Sequence, residues 1–118
     1  MPNNTEKLST DYSGANPPYL APEAMQWIVQ QGVQHLLLDL PSVDREDDGG
    51  KLTNHRSFWR VLHNKADEQS SFGNTITELI YVPDAVADGR YLLNLQIPSI
   101  ELDAAPSKPV LYPLIKKN

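Results

Sequence analysis

The stretch from Pro17 to Pro41 constrains this chain more than any other part of it. Pro17, Pro18 and Pro22 push the residues before them toward extended backbone, so the lead-in over residues 1–21 is irregular. Pro22 suits the first turn of a helix, where its missing N–H costs nothing, and Glu23 faces the positive end of the helix dipole. Ala24, Trp27, Ile28 and Gln31 share a stripe, with Met25 and Val29 beside it, and Gly32 offers a left-handed stop. This predicts a helix over 22–31. The next residues, Val33-Gln34-His35-Leu36-Leu37-Leu38-Asp39-Leu40, are near-continuously apolar until Pro41. That pattern predicts a strand covered on both faces. Helix, glycine and strand make half of a βαβ unit, so the fold class is α/β and the strand is expected to pair in parallel.

The remaining pattern fits one mixed α/β domain over residues 22–114, with a frayed tail over 115–118. Residues 52–63, LTNHRSFWRVLH, read as a second helix capped by Thr53 or Asn54, with Leu52, His55, Trp59 and Leu62 on one face. Thr75–Val82 is rich in β-branched residues and reads as a strand. Arg90–Ile97 alternates, with Tyr91, Leu93, Leu95 and Ile97 on the more buried face, and Val110-Leu111-Tyr112 forms a short last strand. The run Asp44-Arg45-Glu46-Asp47-Asp48 ends in two glycines and reads as a solvated loop.

Composition narrows the function classes. With 118 residues the chain fits one domain, and 10 Lys+Arg against 15 Asp+Glu give a formal charge of −5. An acidic surface argues against general nucleic-acid binding, which needs cationic side chains to displace phosphate counterions. Cysteine is absent, which excludes disulfides, thiolate metal sites and a cysteine nucleophile. The first ten residues lack an apolar leader, and the longest apolar run, Leu36-Leu37-Leu38, is far short of the ~20 residues of a membrane helix. The expectation is a soluble, cytoplasmic protein with neither nucleic acid nor membrane as partner. Met1-Pro2 is compatible with a native start.

Few side chains could do chemistry. His35 lies inside the apolar strand and reads as a packed or hydrogen-bonded residue. His63, at a helix C-terminus, suits the negative end of the dipole. His55 begins a helix after a glycine-rich loop, and spacing alone leaves it structural. Glu78 interrupts the apolar run Ile76-Thr77-Glu78-Leu79-Ile80. Either it points inward, where a carboxylate needs a partner or a metal, or it lies on an edge strand in solvent. Asp39 ends the first strand, a place where α/β proteins carry site residues and where turn formation is an equal reading. A HExxH helix, a phosphate-binding glycine loop, a GxSxG elbow and a zinc finger are all absent.

Several segments together resemble a known family. They are Pro17-Pro18-Tyr19-Leu20-Ala21-Pro22-Glu23-Ala24 with Trp27 and Gly32, and Leu38-Asp39-Leu40-Pro41-Ser42-Val43-Asp44. Downstream come Leu52-Thr53-Asn54-His55-Arg56-Ser57-Phe58-Trp59, Ile76-Thr77-Glu78, Val86-Ala87-Asp88-Gly89-Arg90-Tyr91 through Ile97, and Asp103-Ala104-Ala105-Pro106-Ser107. In order and spacing, over roughly residues 11–114, these resemble the C-terminal half of cyclase-family metal-dependent hydrolases of the bacterial kynurenine formamidase-like kind. The resemblance implies a partial swivelling β/β/α domain, a central mixed sheet with about two helices. It also implies that His55 and Glu78 match metal ligands, with zinc or manganese activating water against an amide or ester.

The family's HxGTHxDxPxH segment, which supplies most of its metal ligands and a catalytic histidine, has no counterpart here. The resemblance therefore implies a truncated or split arylformamidase-like hydrolase domain, inactive alone and without a metal unless a partner completes the site. The alternative is a non-catalytic binding or self-assembly module derived from the same fold. Either reading calls for a homo-oligomer, dimer or higher, or for an N-terminal partner chain. A third arrangement brings two His55/Glu78 pairs together across a symmetry axis.

Overall fold

A computed structural model describes residues 3–61 and 65–115 of the chain. Pro22 opens α1, Pro22–Gln30, which closes at Gln31 and Gly32, the glycine taking the left-handed conformation at φ +72°. β1, His35–Leu37, follows directly and pairs in parallel with β2, Thr75–Thr77, in the register His35↔Thr75, Leu36↔Ile76, Leu37↔Thr77. Between them in sequence lies α2, Thr53–Trp59. A short 3-10 turn, Glu6–Leu8, is the regular element of the lead-in. The second hairpin is antiparallel: β3, Tyr91–Gln96, pairs with β4, Lys108–Pro113. The chain forms two compact units, Met1–Pro83 and Asp84–Asn118.

The class is mixed α/β with two helices, as the sequence implies, and its strands lie in two small sheets rather than in one central mixed sheet. In β4, Pro109 and Pro113 have no N–H to give a further neighbour, which suits an edge. In β2, the strand expected over 75–82 stops at Thr77. Leu38 N–H donates to Thr77 O at 3.0 Å, but Leu38 O accepts from Ile80 rather than from Leu79, at 3.1 Å. One extra residue is thus looped out, and Leu79 takes a left-handed φ of +55° to allow it. This is a bulge, a device that bends a strand and re-aims a side chain next to it.

The core of the first unit is small. Met25, Val43 and Phe58 are fully buried, and Leu20, Ile28, Val29, Val33, Leu36, Leu38, Trp59 and Ile76 pack around them. α1 buries a different stripe from the one expected through Trp27. Met25, Ile28 and Val29, at i, i+3 and i+4, face inward, and Trp27 is 61% exposed. At 100° per residue Trp27 sits about 200° around the helix from Met25, on the opposite side. α2 is also shorter than the expected 52–63. It ends at Trp59 because Arg60 turns left-handed at φ +54°. The expectation for His63 falls outside the described residues.

In the second unit the alternation along β3 is as expected. Tyr91, Leu93 and Leu95 are half-buried, and Leu92, Asn94 and Gln96 are exposed. Ile97 lies beyond the strand and is exposed, not on the buried face. Tyr91 Oη donates to Ala87 O at 2.8 Å and anchors the entry to β3. Among the described residues of this unit, none is fully buried.

The acidic run is not simply solvated. Glu46 accepts N–H groups of Gly14 and Asn16, at 2.6 and 2.9 Å, and ties the lead-in to the loop. Asp48 accepts from Leu52 at 2.5 Å, Gly50 at 2.7 Å and Lys51 at 3.2 Å. Those bonds, the one from Leu52 foremost, hold the Asp48 carboxyl below its ordinary pKa. A carboxyl with a depressed folded pKa adds stability above its unfolded pKa and loses it as pH falls through the folded one. Asp48→Asn is therefore expected to lower the thermal midpoint at neutral pH. The gap to the parent protein should close below about pH 4, the ordinary range of an aspartate. Melting curves across pH 2–7 check this.

Candidate functional site

The site lies at the C-terminal end of the parallel pair β1/β2, where the loops leaving parallel strands converge. The loop after β1 brings Asp44. The residue after β2 is Glu78. α2 carries Asn54 and His55 in its first turn. Val43, buried at the centre, holds the three segments together through its own peptide groups. Its N–H donates to Glu78 Oε1 at 2.8 Å. Its carbonyl accepts from Asn54 Nδ2 at 2.8 Å and from Leu20 N–H at 3.2 Å.

Neither Thr53 nor Asn54 caps α2. Leu52 occupies the N-cap in a left-handed conformation and offers no side-chain bond. The cap comes from ten residues upstream. Asp44 Oδ1 accepts the N–H of Asn54 at 2.7 Å, and Oδ2 accepts the N–H of His55 at 3.1 Å. These are two of the N–H groups that a helix start leaves without partners, and a carboxylate suits the dipole there. The same Oδ2 lies 2.8 Å from His55 Nδ1. Asp44 is 6% exposed and His55 17%.

The other ring nitrogen of His55 faces Glu78, with Nε2 and Oε1 3.5 Å apart. Glu78 is 28% exposed, so it is neither in the core nor free in solvent, the two placements that the sequence left open. The bulge at Leu79 explains this, because it takes Glu78 out of the alternation of Ile76 and Ile80. Trp59, one turn beyond His55, lies against the imidazole with ring centroids 5.4 Å apart and planes tilted by 45°. Its indole N–H donates to Asn74 O at 3.0 Å, next to β2. His55 thus contacts Asp44, Glu78 and Trp59.

The other candidates go elsewhere. His35 is exposed at the start of β1, and its Nδ1 lies 3.0 Å from Thr75 Oγ1. That is the hydrogen-bonded reading. Asp39 pairs with Lys7. The pair lines an open depression of about 560 Å³ whose walls include Tyr12, Glu46, Tyr81 and one side of Asp44. Among the described residues, no group of three or more His, Cys, Asp or Glu side chains is placed to hold a metal. Asp44 is the site residue that sequence reasoning missed. No signal in the sequence marked it, because Thr53 and Asn54 offered local caps for α2 and the N-cap falls instead on Leu52.

Similarity to known proteins is found at the level of sequence. Residues 3–45, which include Asp44, match the family model Cyclase, described as "Putative cyclase". The chain is 31% identical over 98 residues, 82% of its length, to a kynurenine formamidase of Bacillus cytotoxicus. Both matches support a cyclase-family, kynurenine formamidase-like chain. It spans 41% of the length of that kynurenine formamidase. No solved structure matches it. Among the described residues, no helix is long and apolar enough to cross a membrane.

Proposed function

We propose that this chain supplies the His55/Glu78 portion of a metal-dependent amide or ester hydrolase site of the arylformamidase-like kind. The observation that carries the proposal is the separation of the two donors. Two ligand atoms about 2.0–2.2 Å from one tetrahedral ion lie roughly 3.3–3.6 Å from each other. His55 Nε2 and Glu78 Oε1 are 3.5 Å apart, too far for a good hydrogen bond and at the spacing of shared ligands. An imidazole nitrogen and a carboxylate oxygen also suit zinc or manganese. Such an ion, when bound, activates water for attack on the carbonyl.

His55 and Glu78 would hold the ion, Asp44 would orient the imidazole, and Val43 N–H would orient the carboxylate. Two donors are fewer than the usual three protein ligands of a catalytic zinc. The proposal therefore assigns the remaining ligands to residues outside this protomer, in a partner chain or a second copy, so that the chain acts as one part of a split or shortened member with little activity alone. Exposed apolar side chains on the second hairpin, among them Leu92, Leu111 and Tyr112, support a partner or self-association. A two-stranded hairpin with no fully buried residue is marginal in water by itself. A cytoplasmic location is part of the same proposal.

Zinc and manganese titrations by calorimetry test it, at a protein concentration whose oligomeric state is fixed by light scattering. Binding that drops at least tenfold in His55→Ala and in Glu78→Gln is the expected result. Equal binding by the parent and both variants would overturn the proposal. A module used only for assembly, the second reading, would self-associate and bind no metal above background.

A further inference from the structure

We infer that Asp44 is a positioning residue that fixes the Nδ1–H tautomer of His55 and so presents the Nε2 lone pair toward Glu78. The inference rests on the metal-site reading above only for its purpose; its geometry stands independently. Asp44 Oδ1 and Oδ2 each accept a backbone N–H, from Asn54 and His55 at 2.7 and 3.1 Å. A carboxylate so engaged is an acceptor on both oxygens. Its 2.8 Å contact with His55 Nδ1 then requires the hydrogen to be on Nδ1. In the neutral ring Nε2 then carries the lone pair, 3.5 Å from Glu78 Oε1. In that form two acceptors face each other with no hydrogen between them, an arrangement that a cation relieves.

The cap and the tautomer are one device. Asp44 reaches His55 only because the first turn of α2 points its N–H groups at the same carboxylate. Burial to 6% exposure keeps water from competing for those oxygens. Glu78 is fixed by the neighbouring Val43 N–H at 2.8 Å, so both donors take their aim from residues 43 and 44. Outer contacts of this kind, when removed, usually lower metal affinity 10- to 100-fold.

The test uses the full chain, labelled with ¹⁵N at histidine and free of metal, at a pH above the titration range of the ring. Long-range ¹H–¹⁵N correlation spectra assign the protonated nitrogen of His55, with His55→Gln identifying its signals. The expected result is a hydrogen on Nδ1 and a lone pair on Nε2. A hydrogen on Nε2 in the parent protein would overturn the inference, and this arm needs no destabilised variant. In Asp44→Asn the side chain can no longer accept on both sides, and the Nδ1–H form is expected to lose its dominance while Asp44→Glu retains part of it. A purely structural cap would leave the tautomer unchanged in a folded Asp44→Asn, which would also overturn the inference. Zinc titration separates the two readings. The parental tautomer without zinc binding would sink the metal reading alone, and zinc binding with the opposite tautomer would sink this one alone.

Discussion

Phe58→Ala is expected to destabilise the first unit by about 3–5 kcal/mol, the range for truncating a buried aromatic side chain. Among the described residues, the buried hydrophobic ones are Met25, Val43 and Phe58, so the ring is a large share of the core. Domains of this size have only about 5–15 kcal/mol to lose. The functional consequence follows from position. Phe58 is on α2, three residues beyond His55, and seats the helix against Val43, the residue whose peptide groups hold Glu78 and Asn54. Chemical denaturation followed by tryptophan emission, with Trp59 adjacent, checks the magnitude. A loss below about 1 kcal/mol would mean that the core is loosely packed and the helix is anchored otherwise.

Asn54→Ala is expected to cost about 2 kcal/mol, a smaller loss with a different cause. Asn54 is 2% exposed, and its Nδ2 donates to Leu20 O and Val43 O, both at 2.8 Å. Truncation orphans the Leu20 carbonyl, and a buried polar group left without its partner costs about 1–3 kcal/mol. Part of that is offset, because Asn54 Oδ1 is itself buried with no hydrogen-bond partner and goes with the side chain. The same substitution removes the side-chain tie from α2 to Val43 O and leaves the Asp44 bonds to the backbone N–H groups of residues 54 and 55. Metal affinity should therefore fall along with stability, although Asn54 is no candidate ligand. Denaturant unfolding and zinc titration of the same variant measure both effects.

What could be read from the sequence depended on whether its cause was local. Pro22 and Gly32 bound α1 so tightly that its ends were legible to within a residue, and the alternation from Tyr91 to Gln96 announced β3. The buried stripe of α1 was not legible, since Trp27 is the largest apolar residue there and yet faces solvent. The aliphatic side chains of Met25, Ile28 and Val29 fit the small core against Phe58. The end of β2 was hidden for another reason. Leu79 adopts its left-handed conformation because Leu38 and Leu40 accept hydrogen bonds across the sheet, and nothing in TITELIYV encodes that. Asp44 was hidden inside an acidic run, whose other carboxylates, Glu46 and Asp48, also turn out to hold backbone N–H groups. His55 and Glu78 came from the family resemblance, since spacing alone favoured a structural histidine. The structure then places them 3.5 Å apart.

The most direct measurement is anomalous diffraction at the zinc edge from crystals of the full chain grown with zinc. The account predicts a peak about 2.0–2.2 Å from both His55 Nε2 and Glu78, on the side of the imidazole away from Asp44. Its remaining ligands would be water or a second chain. A peak elsewhere, with His55 and Glu78 closed on each other by a direct hydrogen bond, would contradict it.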